Sequence, residues 1–279
     1  FFSLLLLVLA VGTRFYQNLP RFSLDDFIMW DFKETLQPKL VALFFFRFLT
    51  IVALVLLPFV GVGQLLGVAM KADSPLRAYA VNLLGSLAGI LAFVAVSWLR
   101  WPPSAWFLLG GAPLLWFFRA NRPALGFHLL LLANLVVLSH FPNKLWNWKE
   151  NRVYWSPYSR IEFTPLYEDS ESQRGEKLGY FLGVNKAYYQ RILDLTPETV
   201  ARFPAQLGPS LAYYDLPYRA KPAPGRVLVV GAGTGNDVAA ALRNGAKEVD
   251  AVEIDPVILD LGRQSHPARP YQDPRVTAY

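Results

Sequence analysis

The 279-residue sequence has no cysteine, only three histidines, and two methionines, neither of them at position 1. Without cysteine there is no disulfide framework, no thiolate metal site and no cysteine nucleophile. His128, His140 and His266 are too scattered to form a metal-ligand spacing, so no metal is expected. Charge is scarce in the first half: residues 1–141 carry 10 basic and 5 acidic side chains, against 17 and 16 in residues 142–279. The later proportion is near the roughly 25% of ordinary soluble domains, and the earlier one is far below it. This asymmetry excludes a single globular domain and predicts a membrane half followed by a water-soluble half. The formal net charge of +6 falls mainly in loops between apolar runs. There it reads as an orientation signal, and no nucleic-acid partner is expected.

Residues 48–70 and 78–99 are free of charge, and each exceeds the ~20 residues that cross a bilayer as a helix. Two further spans are expected over 101–118, broken by Pro102 and Pro103, and over 123–143. The run Phe1 to Gly12 reads as the end of a fifth, truncated span. Together these make a transmembrane region over 1–141, with the lipid bilayer as partner. No Asp or Glu lies in the four spans, which argues against a proton-coupled carrier. Asn82, Gly85 and Gly89 share one helical face, with the small-xxx-small spacing that lets helices approach closely. If residues 13–40 are cytoplasmic, eight basic residues lie on that side and four (Lys71, Arg77, Arg119, Arg122) on the other. This places an integral membrane protein, in the manner of a bacterial inner membrane, with its soluble half in the cytoplasm. Trp146 and Trp148 beside basic residues mark 142–152 as an interface segment. The ends, without an initiator Met and inside a strand pattern at Tyr279, read as those of a fragment.

In the soluble half, 160–164 and 180–184 alternate like half-buried strands, and 187–195 has the apolar spacing of a short helix. A small β-rich domain is expected over 153–199, then a proline-rich connector over 200–225. From 226 to 279 the pattern is that of a Rossmann-like domain: a buried strand Arg226 to Val230, the turn Gly231-Ala-Gly-Thr-Gly-Asn-Asp237, an Ala-rich helix stopped by Gly245, a strand ending at Glu253, and a helix from Pro256. Gly231, Gly233 and Gly235 permit a sharp turn and close approach of a ligand, the helix start offers N–H groups, and Glu253 can accept both hydroxyls of a ribose. Dinucleotide sites favour G-x-G-x-x-G; the G-x-G-x-G here is the spacing of class I S-adenosylmethionine enzymes. NAD and a non-binding glycine turn are the alternatives.

These residues resemble the spermidine synthases, or polyamine aminopropyltransferases, and especially their membrane-fused bacterial relatives. The resemblance runs over about 125 residues, from Tyr154-Trp-Ser-Pro-Tyr-Ser-Arg-Ile-Glu162 through the glycine turn and Val252-Glu-Ile-Asp255 to His266-Pro-Ala-Arg-Pro-Tyr-Gln-Asp-Pro-Arg-Val276. The glycine block and Val-Glu-Ile-Asp carry most of its specificity. It implies a small β-domain before a class I methyltransferase-like domain, with S-adenosylmethionine or its decarboxylated form in the cleft between them. By it, Gly231, Gly233 and Gly235 line the ligand, Glu253 holds the ribose, the backbone near Ile254 packs on the adenine, and Asp255 is a further cofactor-binding residue. Asn236 and Asp237 are either ligand contacts or helix caps, and Tyr158 either faces the cleft for substrate or packs as an aromatic. Thr234 stands where the family has an acid that meets the ligand's amine, and Ser159 stands where it has Gln. The family's acidic substrate loop would lie beyond Tyr279, so the catalytic acid or base is not assigned and the fragment alone is expected to be inactive.

Three functions follow from this reading. The first is a membrane-anchored transferase moving an aminopropyl group to a small-molecule acceptor, a polyamine. The second is a methyltransferase, and the third a transporter or sensor whose soluble domain binds an S-adenosyl compound without turnover. A homo-oligomer is left open.

Overall fold

The computed structural model describes residues 1–12, 38–71, 74–140, 152–169, 174–185 and 187–279. The expected interface segment 142–152 lies outside them, apart from Arg152. The chain divides into two compact units, one essentially the first 148 residues and the other the rest.

The first unit is helical: α1 (Phe2–Gly12), α2 (Pro38–Lys71), α3 (Pro75–Trp98), α4 (Pro103–Gly111), a 3-10 turn (Pro113–Phe118) and α5 (Arg122–His140). Three helices have the length and composition to cross a bilayer: Ala42–Lys71, Pro75–Trp98 and Arg122–His140. The expected span 101–118 falls on a nine-residue helix and a six-residue 3-10 turn instead of one long helix. The break falls where Gly110 and Gly111 weaken the helix just before Pro113, which has no N–H to give. At ~1.5 and ~2 Å rise per residue the two pieces together reach roughly 25 Å, short of a ~30 Å hydrocarbon core. Gly111 is buried against α5, where a Cβ would come within 2.7 Å of Leu132. Asn134 bonds back to the Leu130 carbonyl at 2.8 Å, satisfying its amide within its own helix. Gly85 and Gly89 meet nothing within 4 Å among the described residues.

The second unit begins with a four-stranded antiparallel sheet in the order β1 (Arg152–Trp155), β2 (Arg160–Asp169), β3 (Arg174–Val184), β4 (Ala187–Leu193). The two expected strands are present and longer than foreseen. The expected helix over 187–195 is corrected to a strand: β4 pairs antiparallel along β3 from Val184↔Ala187 to Gly179↔Leu193. Asn185, in the left-handed region at φ +52, lets the chain reverse just before it. Pro165 sits in β2 beyond the last β1 partner, Phe163↔Arg152, so its missing N–H leaves no ladder bond broken on that edge.

The proline-rich connector is also corrected. It forms α6 (Pro197–Arg202) and α7 (Pro204–Ala220), each with a proline at its start, where no N–H is needed. Phe203, Leu207, Leu211 and Tyr214 recur at helical spacing and pack with Leu178, Leu193 and Leu195. This apolar stripe outweighs the backbone bonds lost at Pro209 and Pro217.

The chain then enters β5 (Arg226–Val230), α8 (Asn236–Arg243), β6 (Glu248–Val252), α9 (Pro256–Ser265) and β7 (Val276–Ala278), with the strands parallel in the order β5-β6-β7. Gly245 ends α8 at φ +83, where Ala246 N–H bonds the Ala241 carbonyl and Gly245 N–H that of Leu242. Val238 and Ala241 of α8 pack on Val249 and Ala251 of the sheet. Helix α9 sends Val257, Ile258 and Leu261 into the antiparallel sheet, against Ile161, Phe163, Leu182 and Ile192. Helix α9 thus ties the antiparallel sheet to the turn after β5, since Gly262 passes against Thr234.

Candidate functional site

The site is built where β5 and β6 end side by side. The chain leaving β5 is pulled over β6, since the N–H groups of Gly231 and Ala232 both donate to the Val252 carbonyl at 2.9 Å. Gly231, Gly233 and Gly235 all have positive φ, at +72, +56 and +104. Their surroundings differ. A Cβ on Gly233 would lie 2.6 Å from the Gln190 amide, and one on Gly235 would lie 2.8 Å from Pro270 Cγ, whereas Gly231 meets nothing within 4 Å. Gly231 is therefore the glycine with open space beside it. Thr234, between them, is fully buried beneath α9, where Gly262 passes so close that a Cβ would fall 2.5 Å from the Thr234 carbonyl oxygen.

Glu253 follows β6 directly. Its carboxylate is 7% exposed; one oxygen accepts from Gly233 N–H and the other from Asp255 N–H, each at 2.8 Å. A carboxylate offers about four lone-pair directions, so two remain after these bonds. Ile254 projects outward, 74% exposed, as an apolar surface at the same edge. Asp255 has turned inward to cap α9, accepting from Val257 N–H at 2.9 Å, and it takes a 2.6 Å bond from the Ser156 hydroxyl. Ser156 in turn accepts from the N–H groups of Tyr158 and Ser159, which fixes the β1–β2 turn and leaves the Tyr158 ring exposed.

Asn236 opens α8 but faces away from this edge. Its amide donates to the Arg191 carbonyl and to Tyr214 Oη, and its oxygen lies 3.1 Å from His266 Nε2. Asp237 stands at the surface in the first turn of α8. Burial lowers the His266 pKa to about 4, with Arg243 adding to the shift and Asp194 opposing it. The ring is therefore neutral at pH 7, and its Nδ1 accepts from Ala268 N–H at 3.2 Å.

Three further residues join the turn that the sequence did not point to. The Tyr271 hydroxyl donates to the Gly233 carbonyl at 2.8 Å, and burial pushes its phenol up. Gln190 holds its Nε2 buried against Gly233 with no hydrogen-bond partner among the described residues. Tyr189, beside it on β4, is half-exposed; burial raises its phenol first, and the charges of Glu253 and Asp255 add to this. The only strand signal near Tyr189 and Gln190 is the β propensity of Tyr188, Tyr189 and Ile192, since residues 187–193 show no polar/apolar alternation. Among the described residues no cluster of His, Asp or Glu has the makings of a metal site.

A scan against protein-family models matches none, and a search of the curated proteins finds no match. Among solved structures, the chain is similar to the spermidine synthase of Thermotoga maritima, at 17% identity and a TM-score of 0.32 over 46% of this chain and 39% of that one. It is also similar to a spermidine synthase solved in complex with the transition-state analogue AdoDATO, at 17% identity and a TM-score of 0.30 over 43% of this chain and 36% of that one. The chain thus spans less than two-fifths of the length of either structure to which it is similar.

Proposed function

We propose that the second unit binds an S-adenosyl compound at the β5–β6 edge and that the protein is a membrane-anchored transferase of an aminopropyl group to a polyamine. The observation that carries the reading is the Glu253 carboxylate, buried at the strand end and fastened to the glycine turn at Gly233, with lone pairs remaining for a ribose diol. Open space beside Gly231 admits the ligand, exposed Ile254 offers an apolar face for a purine, and the partnerless Gln190 amide supplies a polar group next to the turn. Asn236 and Asp255 support the site from behind, since their polar atoms are engaged within the protein.

The bound group supplies a sulfonium, a leaving group that needs no protonation. What the chain adds is alignment of the partners; the attacking amine must also give up a proton, and no described residue is assigned as its acceptor. The exposed rings of Tyr158, on the turn that Ser156 ties to Asp255, and Tyr189, within the field of Glu253, are the side chains proposed to meet the acceptor. Methyl transfer from intact S-adenosylmethionine uses the same edge and is the second reading, favoured by Thr234, which puts no carboxylate at the place where an amine-only tail would need one. Transfer assays with the full-length protein, using S-adenosylmethionine and its decarboxylated form labelled in the transferred group, distinguish the readings. An aminopropylated polyamine supports the first, a methylated product the second, and saturable binding without product a sensor.

A further inference from the structure

Behind α8, on the flank away from Gly231 and Glu253, lies a cavity of about 280 Å³. Leu193, Leu195, Ala239 and Leu242 give it apolar walls, and Arg243 and Arg275 stand at its rim. The two cations differ in what they have left to offer. Arg275 uses Nε and Nη2 on Asp273 and Nη1 on the Ala246 carbonyl. Arg243 commits only Nη2, to Asp215 at 2.5 Å, so its Nε and Nη1 donors have no acceptor among the described residues. At the floor, His266 is neutral and bonded to Asn236, and it adds neither charge nor a competing anion. Each guanidinium at the cavity already pairs with a carboxylate, Arg243 with Asp215 and Arg275 with Asp273, so what the cavity offers an anion is the pair of donors that Arg243 leaves unused.

We infer that this cavity binds a small organic monocarboxylate, its apolar body between β4 and α8 and its carboxylate on Arg243. The lining is half apolar and half polar or charged, which suits a small ligand with one apolar body and one anionic group, and this volume falls just under the ~300 Å³ at which drug-sized ligands begin. The occupant is thus smaller than a nucleoside-bearing compound. Arginine is the side chain suited to hold a carboxylate through paired N–H donors. The inference is independent of the S-adenosyl reading, since Gly231, Gly233, Glu253 and Ile254 do not line the cavity.

The test is ligand-observed fluorine NMR with 4-fluorobenzoate and the whole purified chain, with 4-fluorobenzyl alcohol as the uncharged probe of the same shape. The expected result is saturable binding of the benzoate, at least about tenfold weaker binding of the alcohol, and a similar loss for benzoate in Arg243→Gln. Ala268→Trp, at an exposed position on the cavity wall, should abolish binding while leaving the fold intact, and Leu242→Trp should do so from the α8 side. Glu253→Ala should leave benzoate binding unchanged. Equal binding of acid and alcohol, indifference to both cavity-filling variants, loss on Glu253→Ala, or no saturable binding of benzoate would each overturn the inference.

Discussion

Gly233 N–H donates to Glu253 Oε2 at 2.8 Å, joining the turn after β5 to the residue that follows β6, 20 positions later. The positive φ of Gly233 aims that N–H, and the second oxygen of Glu253 holds Asp255 N–H at the same distance. One side chain therefore shapes the turn and faces the proposed ligand. Glu253→Ala should speed hydrogen exchange at the Gly233 and Asp255 amides by about tenfold or more, as expected for losing hydrogen bonds to a charged group worth about 1.5–3 kcal/mol. Unchanged exchange at both amides would contradict this clamp.

Gly231 and Gly235 should respond differently to alanine. Gly231→Ala meets only backbone strain in open space, about 1 kcal/mol for a left-handed residue. Gly235→Ala adds a clash with Pro270 to a φ of +104, and should destabilise the second unit more in denaturant titration. Equal losses would mean that the packing around Gly235 relaxes freely.

The βαβ elements were legible in the sequence because local signals agree there: Val-rich strands, glycines at the turn, Pro256 at a helix start and Gly245 at a helix end. Legibility failed where tertiary contacts decide. Ala187–Leu193 has the apolar spacing of a helix beside the β propensity of Tyr188, Tyr189 and Ile192, and pairing with β3 decides it. Prolines 204, 209 and 217 suggest a connector, but the Phe203–Leu207–Leu211–Tyr214 stripe finds a core to pack on. At the site, Glu253 was legible as a strand-end acid. That Asn236 and Asp255 turn inward was not, since their partners Tyr214, His266 and Ser156 lie 22, 30 and 99 residues away.

His266 gives the second unit a pH dependence of known sign. Its folded pKa of about 4 lies below the ordinary 6.5, so between these values the unfolded chain binds a proton that the folded one does not. Stability should therefore fall as pH drops from about 6.5 to about 4, by an amount on the order of 3 kcal/mol, with no further loss from this group below that window. His266→Gln should flatten this part of the denaturation profile. A wild-type profile flat from pH 7 to 4 would show that the ring is not buried neutral.

Because the chain has no cysteine, its membrane topology can be mapped with single introduced ones. A cytoplasmic second unit requires the segment Pro103–Phe118 to cross the bilayer despite its short reach. Ser74→Cys and Asn121→Cys should then react with an impermeant maleimide added outside intact cells, and Glu198→Cys should not. Protection of Asn121→Cys together with labelling of Glu198→Cys would make that segment re-entrant and put the second unit outside.

The central claim is that the Gly233–Glu253 edge holds an S-adenosyl compound. Equilibrium dialysis of the purified chain against labelled S-adenosylmethionine and its decarboxylated form tests this most directly, with Glu253→Ala alongside. The account predicts saturable binding of at least one of the two, weakened about tenfold to a hundredfold in the variant. Failure of the wild-type chain to bind either compound, or equal affinity in Glu253→Ala, would contradict it.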